Sequence, residues 1–168
     1  LLASSAASDV YKRQGVAAGA DLVFFETFTD LYELKAALLA AKENCDLPIL
    51  ASMSFEAGGR TFTGCTVESF AVTARGLGAN AVGINCSSGP DQMGSVVRMM
   101  HRAAGDTPIA AKPNAGLPTI TETGEAVYSM GPEAFVRHMQ ALKASGAALL
   151  GGCCGTTPEF IAAMRSLK

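Results

Sequence analysis

Charged residues and histidines are scarce in this sequence, and long apolar runs are absent. Of the 168 residues, 17% are charged and two are histidines, and the formal net charge is −2. Both histidines, His101 and His138, fall in predicted helices, and apart from Lys12-Arg13 the basic residues are scattered singly. No apolar run reaches the roughly 18 residues of a membrane span, and the first residues lack a secretory signal pattern. We therefore expect a globular protein with no nucleic-acid partner and no membrane partner.

The sequence also lacks the marks of two common protein classes. It contains no Gly-x-Gly-x-x-Gly turn, which a dinucleotide-binding sheet requires after a strand. Its five cysteines are an odd number, and its composition is not that of a small disulfide scaffold. We expect free thiols, and therefore a reducing, cytoplasmic location.

A repeated alternation of short apolar runs and helical patterns is present instead. The apolar runs predict five strands, at residues 22–25, 49–55, 81–84, 109–111 and 147–150. Between them, apolar residues recur every three or four positions, which predicts helices. The first helix has Thr29 as a candidate cap, another is expected to start around Gly89-Pro90-Asp91, and the last runs from Pro158 nearly to Lys168. This order predicts parallel strands covered by helices.

Five such units fit an open doubly wound sheet or part of a (β/α)8 barrel. The residues suited to chemistry all follow predicted strands: Glu26, Cys86, Lys112, Asn114, Cys153 and Cys154. A barrel gathers the carboxyl ends of its strands around one mouth. We therefore favour an α/β fold in which residues 14–168 form the C-terminal part, about five βα units, of a (β/α)8 barrel. Residues 1–13 are interpreted as a leader outside this domain.

The most informative stretch is Gly151-Gly152-Cys153-Cys154-Gly155-Thr156-Thr157-Pro158, where two cysteines separate a predicted strand from a predicted helix. Cys86 follows another strand in a similar setting. Zinc that takes part in chemistry has three protein ligands and one open position. The three cysteines therefore predict a three-thiolate zinc site. Two alternatives are small core-filling cysteines, the interpretation we prefer for Cys45 and Cys65, and a phosphate site at the glycine-rich helix start.

Three polar residues are candidate ligand contacts, and a fourth is a candidate ion-pair partner. Glu26 is placed to hold a substrate ammonium by a charge-assisted bond, although a solvated strand-end charge explains it equally well. Asn85 and Asn114 offer amide contacts to a ligand, or bonds to loop backbone. Lys112 is suited to pair with an acid that the sequence does not identify.

Two connections are unusually long for this pattern. The glycine-rich segment from Phe55 to Cys65 is expected to shape a pocket, or to be an ordinary loop. The segment from Pro118 to Tyr128 is expected to form a small hairpin or flap.

Three stretches together resemble the homocysteine S-methyltransferase family: Gly83-Ile84-Asn85-Cys86 with Gly89-Pro90, Pro113-Asn114-Ala115-Gly116-Leu117-Pro118, and the double-cysteine stretch. The subgroup most similar is the homocysteine-binding domain of cobalamin-dependent methionine synthases. The resemblance implies a (β/α)8 barrel in which Cys86, Cys153 and Cys154 bind Zn²⁺ and homocysteine adds its sulfur as the fourth ligand, with Glu26 on its amino group. It also implies that the first three strands of the barrel are missing.

The function implied is zinc-dependent methyl transfer to homocysteine, which yields methionine. The donor expected for this subgroup is methylcobalamin, with cobalamin and methyltetrahydrofolate carried on other modules of the same or a partner chain. Betaine or S-methylmethionine as donor is an alternative, and so is an inactive zinc-binding fragment.

Overall fold

The computed structural model describes residues 14–167, so the predicted leader, residues 1–13, lies outside the described residues. A helical stretch at residues 14–17 comes first. The elements that follow are β1 (Val23–Phe28), α1 (Leu31–Asn44), β2 (Ile49–Met53), α2 (Val67–Gly76), β3 (Ala81–Asn85), α3 (Gly94–Ala104), β4 (Ile109–Lys112), β5 (Pro118–Ile120), β6 (Ala126–Tyr128), α4 (Pro132–Ala144), β7 (Leu149–Leu150), α5 (Pro158–Ala163) and a 3₁₀ helix (Met164–Leu167).

Five strands form one parallel sheet in the order β1-β2-β3-β4-β7. Each crossover between neighbours in this sheet contains one of the helices α1 to α4. The predicted alternation of strands and helices is therefore confirmed. In a doubly wound sheet the strand order reverses at one point, whereas here the strands follow one another in chain order. This sequential parallel order is that of a (β/α) barrel.

The two faces of this sheet carry different residues because successive strand side chains alternate in direction. On β2, Ile49, Ala51 and Met53 are buried in the hydrophobic core that the helices cover. The intervening Ser52 points to the opposite face, where it hydrogen-bonds Asn85 of β3. This second face would be the interior of a closed barrel, and it carries the polar groups of the site.

The helices bury the predicted apolar stripes against the first face. Leu34, Leu38 and Ala41 of α1 are buried, as their spacing predicts. Full burial of a leucine or phenylalanine side chain stabilises the fold by about 1.5–3 kcal/mol. No helix among residues 14–167 is long and apolar enough to cross a bilayer.

Helix boundaries differ from the prediction in three places. The N-cap of α1 is Asp30 rather than Thr29, because the Asp30 carboxylate accepts hydrogen bonds from the backbone amides of Tyr32 and Glu33. Helix α3 begins at Gly94, after a turn at residues 89–93. The terminal helix changes at Met164 to 3₁₀ geometry, and Thr157 occupies its N-cap without a side-chain cap bond.

The expected hairpin is present as the antiparallel pair β5–β6, inserted between β4 and α4. Its turn is closed by a hydrogen bond from the amide of Thr121 to the carbonyl of Glu125, with Gly124 at φ +84°. Because Pro118 pairs with Tyr128, the hairpin returns the chain to the carboxyl end of β4. That register places Tyr128 beside the site.

Candidate metal centre

Three cysteine thiols meet at the carboxyl ends of β3 and β7. The Sγ atoms of Cys86 and Cys154 are 3.9 Å apart, and so are those of Cys153 and Cys154. All three sulfurs lie within 4.8 Å of one another. Disulfide sulfurs are only about 2.05 Å apart, so these are free thiols. The structure thus brings together the three cysteines that the sequence singled out.

This spacing fits a metal with three thiolate ligands. Zinc–sulfur bonds of about 2.3 Å in tetrahedral geometry place two sulfurs about 3.8 Å apart. Two of the sulfur pairs match that separation, and the third lies within reach of a small rotation of a side chain. Cys154 is exposed and the other two cysteines are partly exposed, so one side of the cluster faces solvent. An ion held here would have room for an exchangeable fourth ligand.

Cys86 is held by an unusual backbone turn directly after β3. Cys86 and Ser87 have φ angles of 60° and 61°, in the left-handed region that costs non-glycine residues energy. The amide of Cys86 donates to the carbonyl of Lys112 at 3.1 Å, and the amide of Asn114 donates to the carbonyl of Ser88 at 3.1 Å. These bonds tie the turn to the end of β4 and fix the direction of the Cys86 side chain.

Cys153 and Cys154 are anchored to the segment that follows β4. The amide of Cys153 donates to the carbonyl of Pro113 at 2.8 Å, and the carbonyl of Cys154 accepts from the amide of Ala115 at 2.9 Å. The Asn114 side chain accepts from the amide of Cys154 at 3.1 Å. Asn114 therefore positions a cysteine of the site, and the ligand contact suggested for it stays a prediction.

Asn85 connects three strands and the thiol cluster through one buried amide. Its Oδ1 accepts from the amide of Thr27 at 2.8 Å and from the hydroxyl of Ser52 at 2.7 Å. Its Nδ2 donates to Thr27 Oγ1 at 2.6 Å and approaches Cys153 Sγ at 3.9 Å. Asn85 has no solvent exposure. In this structure it organises the site, and its role in contacting substrate stays a prediction.

Glu26 lies inside β1 rather than at its end, because the strand continues to Phe28. The pairing register of β1 shifts between Phe25 and Phe28, and Thr27 has a φ of 66°. Bulges of this kind redirect side chains. Here the irregularity lets the consecutive residues Glu26 and Thr27 both reach the polar face of the sheet.

The acid that pairs with Lys112 is Glu26. The ammonium of Lys112 donates to the Glu26 carboxylate across the polar face, and it also lies 4.6 Å from the centre of the Phe24 ring. The Lys112 side chain is 22% exposed and that of Glu26 is 43% exposed. A partly solvated pair of this kind contributes little to stability, so a second ammonium can compete for the carboxylate.

The Cys153 thiol holds its proton more tightly than an ordinary thiol. Burial raises the pKa of the Cys153 thiol from its ordinary value of 9.0 to about 11, and the nearby Cys86 thiol contributes further. In the metal-free chain Cys153 is therefore neutral at physiological pH. A metal must displace its proton on binding, so metal affinity falls as the pH is lowered.

Tyr128 of the hairpin is a member of the site that the sequence analysis missed. Its ring lies against the backbone of Gly155, where a Cβ atom would come within 2.3 Å of the Tyr128 Cγ. Desolvation, followed by the charge and hydrogen bond of Cys154, raises the pKa of Tyr128. The only sequence signal was its place at the end of the predicted hairpin.

The remaining sequence candidates lie away from the thiols. Cys45 caps the end of α1, and the Cys65 thiol contacts the carbonyl of Thr66 at 3.4 Å. Burial raises the pKa of Cys65, which disfavours its thiolate. His101 lies in α3 and His138 in α4.

The glycine-rich connection after β2 forms a loop that is held by internal hydrogen bonds and by one bond to the segment after β1. Arg60 pairs with Thr66 in an isolated bridge, and the hydroxyl of Thr63 donates to the carbonyl of Thr29 at 2.6 Å. Phe62 at its tip is 87% exposed. A pocket-shaping role for this loop stays a prediction.

Comparison with known proteins gives a consistent assignment. The family model described as homocysteine S-methyltransferase matches residues 2–167. The match begins inside the segment interpreted as a leader, and that interpretation stays a prediction. The chain is 34% identical to the methionine synthase of Mycobacterium tuberculosis (strain ATCC 25618 / H37Rv) over 160 residues, which cover 89% of this chain and 13% of that protein. It is also 34% identical to the methionine synthase of Mycobacterium leprae (strain TN) over 149 residues, which cover 85% of this chain and 12% of the relative.

Solved structures agree on the fold. The apo form of the homocysteine methyltransferase MmuM from Escherichia coli aligns with a TM-score of 0.75 at 22% identity, over 98% of this chain and 57% of that one. The carboxyl transferase domain of Rhizobium etli pyruvate carboxylase aligns with a TM-score of 0.57 at 14% identity, over 87% of this chain and 23% of that one. The expected fold class, part of a (β/α)8 barrel, is thereby confirmed. The chain spans only about an eighth of the curated relatives' length. By the match over nearly all of its residues, the chain belongs to the homocysteine S-methyltransferase family.

Proposed function

We propose that this chain contributes the zinc and homocysteine site of an enzyme that transfers a methyl group to the homocysteine thiol, forming methionine. The observation that carries the proposal is the cluster of Cys86, Cys153 and Cys154, whose sulfurs have the spacing of a tetrahedral metal site. Family membership supports homocysteine as the substrate. In this proposal the same three cysteines are the metal ligands and the catalytic residues.

The donor set suits activation of a thiol better than activation of water. Three thiolates make a soft, electron-rich site, which favours a sulfur ligand in the fourth position. Bound zinc would lower the pKa of a thiol there and keep it as a thiolate at neutral pH. The substrate thiolate then attacks the methyl carbon, a carbon–sulfur bond forms, and the bonding pair of the old bond leaves with the donor. No general base is needed in the transfer itself.

Glu26 is the proposed partner of the homocysteine ammonium. Its carboxylate lies on the same face of the sheet as the Asn85 side chain that approaches Cys153. In the chain without substrate, Lys112 holds this carboxylate. The substrate ammonium would compete with Lys112 or share the carboxylate with it, and Asn85 and Asn114 would keep the cysteines at the distance that this contact requires.

The proposed methyl donor is methylcobalamin on another module. Both curated relatives, 34% identical to this chain, are methionine synthases about eight times its matched length, which leaves room for further modules. Cobalamin and folate modules of the same or a partner chain are therefore the proposed partners. Betaine and S-methylmethionine remain alternative donors, because the thiol cluster recognises the acceptor and not the donor.

The metal-binding form requires reduced thiols. All five cysteines are free in the structure. Oxidation of Cys153 or Cys154 would remove metal ligands. We therefore propose a reducing compartment, the cytoplasm, for the working protein.

Metal analysis of the chain purified under reducing conditions tests the site. We expect about one zinc per chain, lost in Cys86→Ser and retained in the matched control Cys45→Ser, which lies outside the cluster. Calorimetry should then show homocysteine binding to the zinc-loaded chain, weakened by Glu26→Gln. A folded chain that binds no zinc would overturn the proposal and favour a phosphate site. Zinc without homocysteine binding would instead identify an inactive zinc-binding fragment.

A further inference from the structure

The parallel sheet carries one charged residue of each sign. Among the strand residues that the structure describes, Glu26 of β1 is the single acidic residue of this sheet and Lys112 of β4 is the single basic one. Their side chains pair with each other on the polar face. The proposed function uses only the acid, as the partner of the homocysteine ammonium. It leaves the lysine without a role once substrate is bound.

Lys112 is connected to the region around the thiol cluster. Its backbone carbonyl accepts a hydrogen bond from the amide of Cys86 at 3.1 Å, and in the strand register it is the direct partner of Asn85. Register partners in neighbouring parallel strands direct their side chains to the same face of the sheet. The Lys112 side chain therefore starts beside the amide that approaches Cys153 Sγ at 3.9 Å.

Two contacts keep the Lys112 ammonium on the polar face. The aliphatic part of the side chain passes Gly151, where an added Cβ would lie 3.0 Å from Lys112 Cγ. At the other end, Lys112 Nζ lies 4.6 Å from the centre of the Phe24 ring. A cation over the face of an aromatic ring is attracted to it. Neither contact involves Glu26, so we expect the ammonium to stay in this region when Glu26 takes another partner.

A substrate ammonium on Glu26 would leave the charge of Lys112 uncompensated. It would engage the carboxylate that neutralises Lys112 and would bring a second positive charge beside the first. The Lys112 side chain is 22% exposed, so water compensates its charge only in part. A charge that loses its partner in such surroundings is costly. Homocysteine carries the compensating group itself, because its carboxylate is bonded to the same carbon as its ammonium.

We propose that Lys112 binds the α-carboxylate of homocysteine, so that the Glu26–Lys112 pair opens to receive the zwitterion of the substrate. Each protein charge then exchanges one oppositely charged partner for another. The ammonium and the carboxylate are the same number of bonds from the substrate sulfur, so the pair can hold both while the sulfur stays at the metal. The pair thus selects thiols that are α-amino acids over thiols that carry an amine alone. This inference rests on the proposed function, which places the substrate sulfur at the thiol cluster.

Calorimetry of the zinc-loaded chain with two thiols tests the inference. The probes are homocysteine and homocysteamine, which keeps the thiol and the ammonium and lacks the carboxylate. We expect Lys112→Met to weaken homocysteine binding about ten-fold, the effect of one charge-assisted contact, and to leave homocysteamine binding unchanged or tighter. Lys112→Arg, which keeps the charge, should lose less affinity for homocysteine. Lys35→Met is the matched control, because Lys35 also lies over an aromatic ring, that of Tyr32 on α1.

Two results would overturn the inference and leave the proposed function intact. Unchanged or tighter homocysteine binding in Lys112→Met would show that Lys112 only competes for Glu26. Equal losses for the two thiols, or for the arginine and methionine variants, would show an effect on the structure of the site. Lys112→Gln is measured alongside, with the zinc content of each variant, so that the comparison does not depend on how one variant folds. If the unmodified chain binds no zinc, or zinc but no homocysteine, the proposed function fails and this inference fails with it.

Discussion

Replacement of Asn85 by alanine should destabilise the chain more than any exposed asparagine replacement. The Asn85 side chain has no solvent exposure and connects β1, β2 and β3 through a single amide. Its oxygen accepts from the Thr27 amide and the Ser52 hydroxyl, and its nitrogen donates to the Thr27 hydroxyl. Alanine removes all three bonds and leaves nothing in their place.

The size of the effect follows from these contacts. Each neutral hydrogen bond contributes about 1 kcal/mol net, so the three together account for about 3 kcal/mol. Ser52 is fully buried, and its hydroxyl would be left without its partner, which adds about 1 kcal/mol or more. The same amide holds Thr27 at a φ of 66°, so its removal partly releases the backbone strain of Thr27. This release offsets some of the loss in stability. We therefore expect the free energy of unfolding to fall by about 3–5 kcal/mol.

Urea denaturation of the metal-free chain, followed by circular dichroism under reducing conditions, measures this change. The matched control is Asn80→Ala: the Asn80 side chain is exposed and accepts one hydrogen bond, from the amide of Ile49 at 2.9 Å. That substitution should cost about 1 kcal/mol. Equal losses for the two variants would refute the reasoning, since the buried network would then contribute no more than one surface bond.

Two further predictions concern the double-cysteine turn. Gly155→Ala should destabilise the chain by at least about 1 kcal/mol more than Gly124→Ala. Both glycines have positive φ, but only at Gly155 would an added Cβ collide with a neighbouring side chain, that of Tyr128. Equal melting temperatures for the two variants would contradict this prediction. The raised pKa of Cys153 means that the folded metal-free chain keeps a proton that the unfolded chain loses. Its contribution to stability is therefore complete below pH 9.0 and is lost as the pH rises to about 11. The melting temperature should fall across that window, less steeply in Cys153→Ser, and identical slopes would argue against the shift.

Most secondary structure was predictable because it depends on neighbours in the chain. Leu34 and Leu38 occupy one side of α1 by their spacing alone, and Gly131-Pro132 predicts the start of α4 by the backbone preferences of its residues. The errors occurred at ends. Thr29 and Asp30 are both good caps, and the choice between them depends on the path of the chain leaving β1, which local sequence does not encode.

Strand ends were harder to predict for the same reason. The prediction ended β1 near Phe25, but pairing with β2 extends the strand to Phe28 through an irregular register. That irregularity moves Glu26 into the strand and directs it toward Lys112. The position of Lys112 at a strand end suggested pairing with an acid, but the sequence could not identify that acid, because Glu26 lies 86 residues away.

The sequence by itself determined the kind of fold and which side chains lie at the candidate site. Alternating strands and helices require parallel pairing, and parallel strands bring their carboxyl ends to one edge, so cysteines that follow two strands of one sheet had to lie near each other. Only the tertiary structure decided the sulfur distances, the Glu26–Lys112 pair and the placement of the Tyr128 ring over Gly155. These depend on left-handed turns, a strand irregularity and a docked hairpin, whose geometry is set by contacts between residues far apart in the chain.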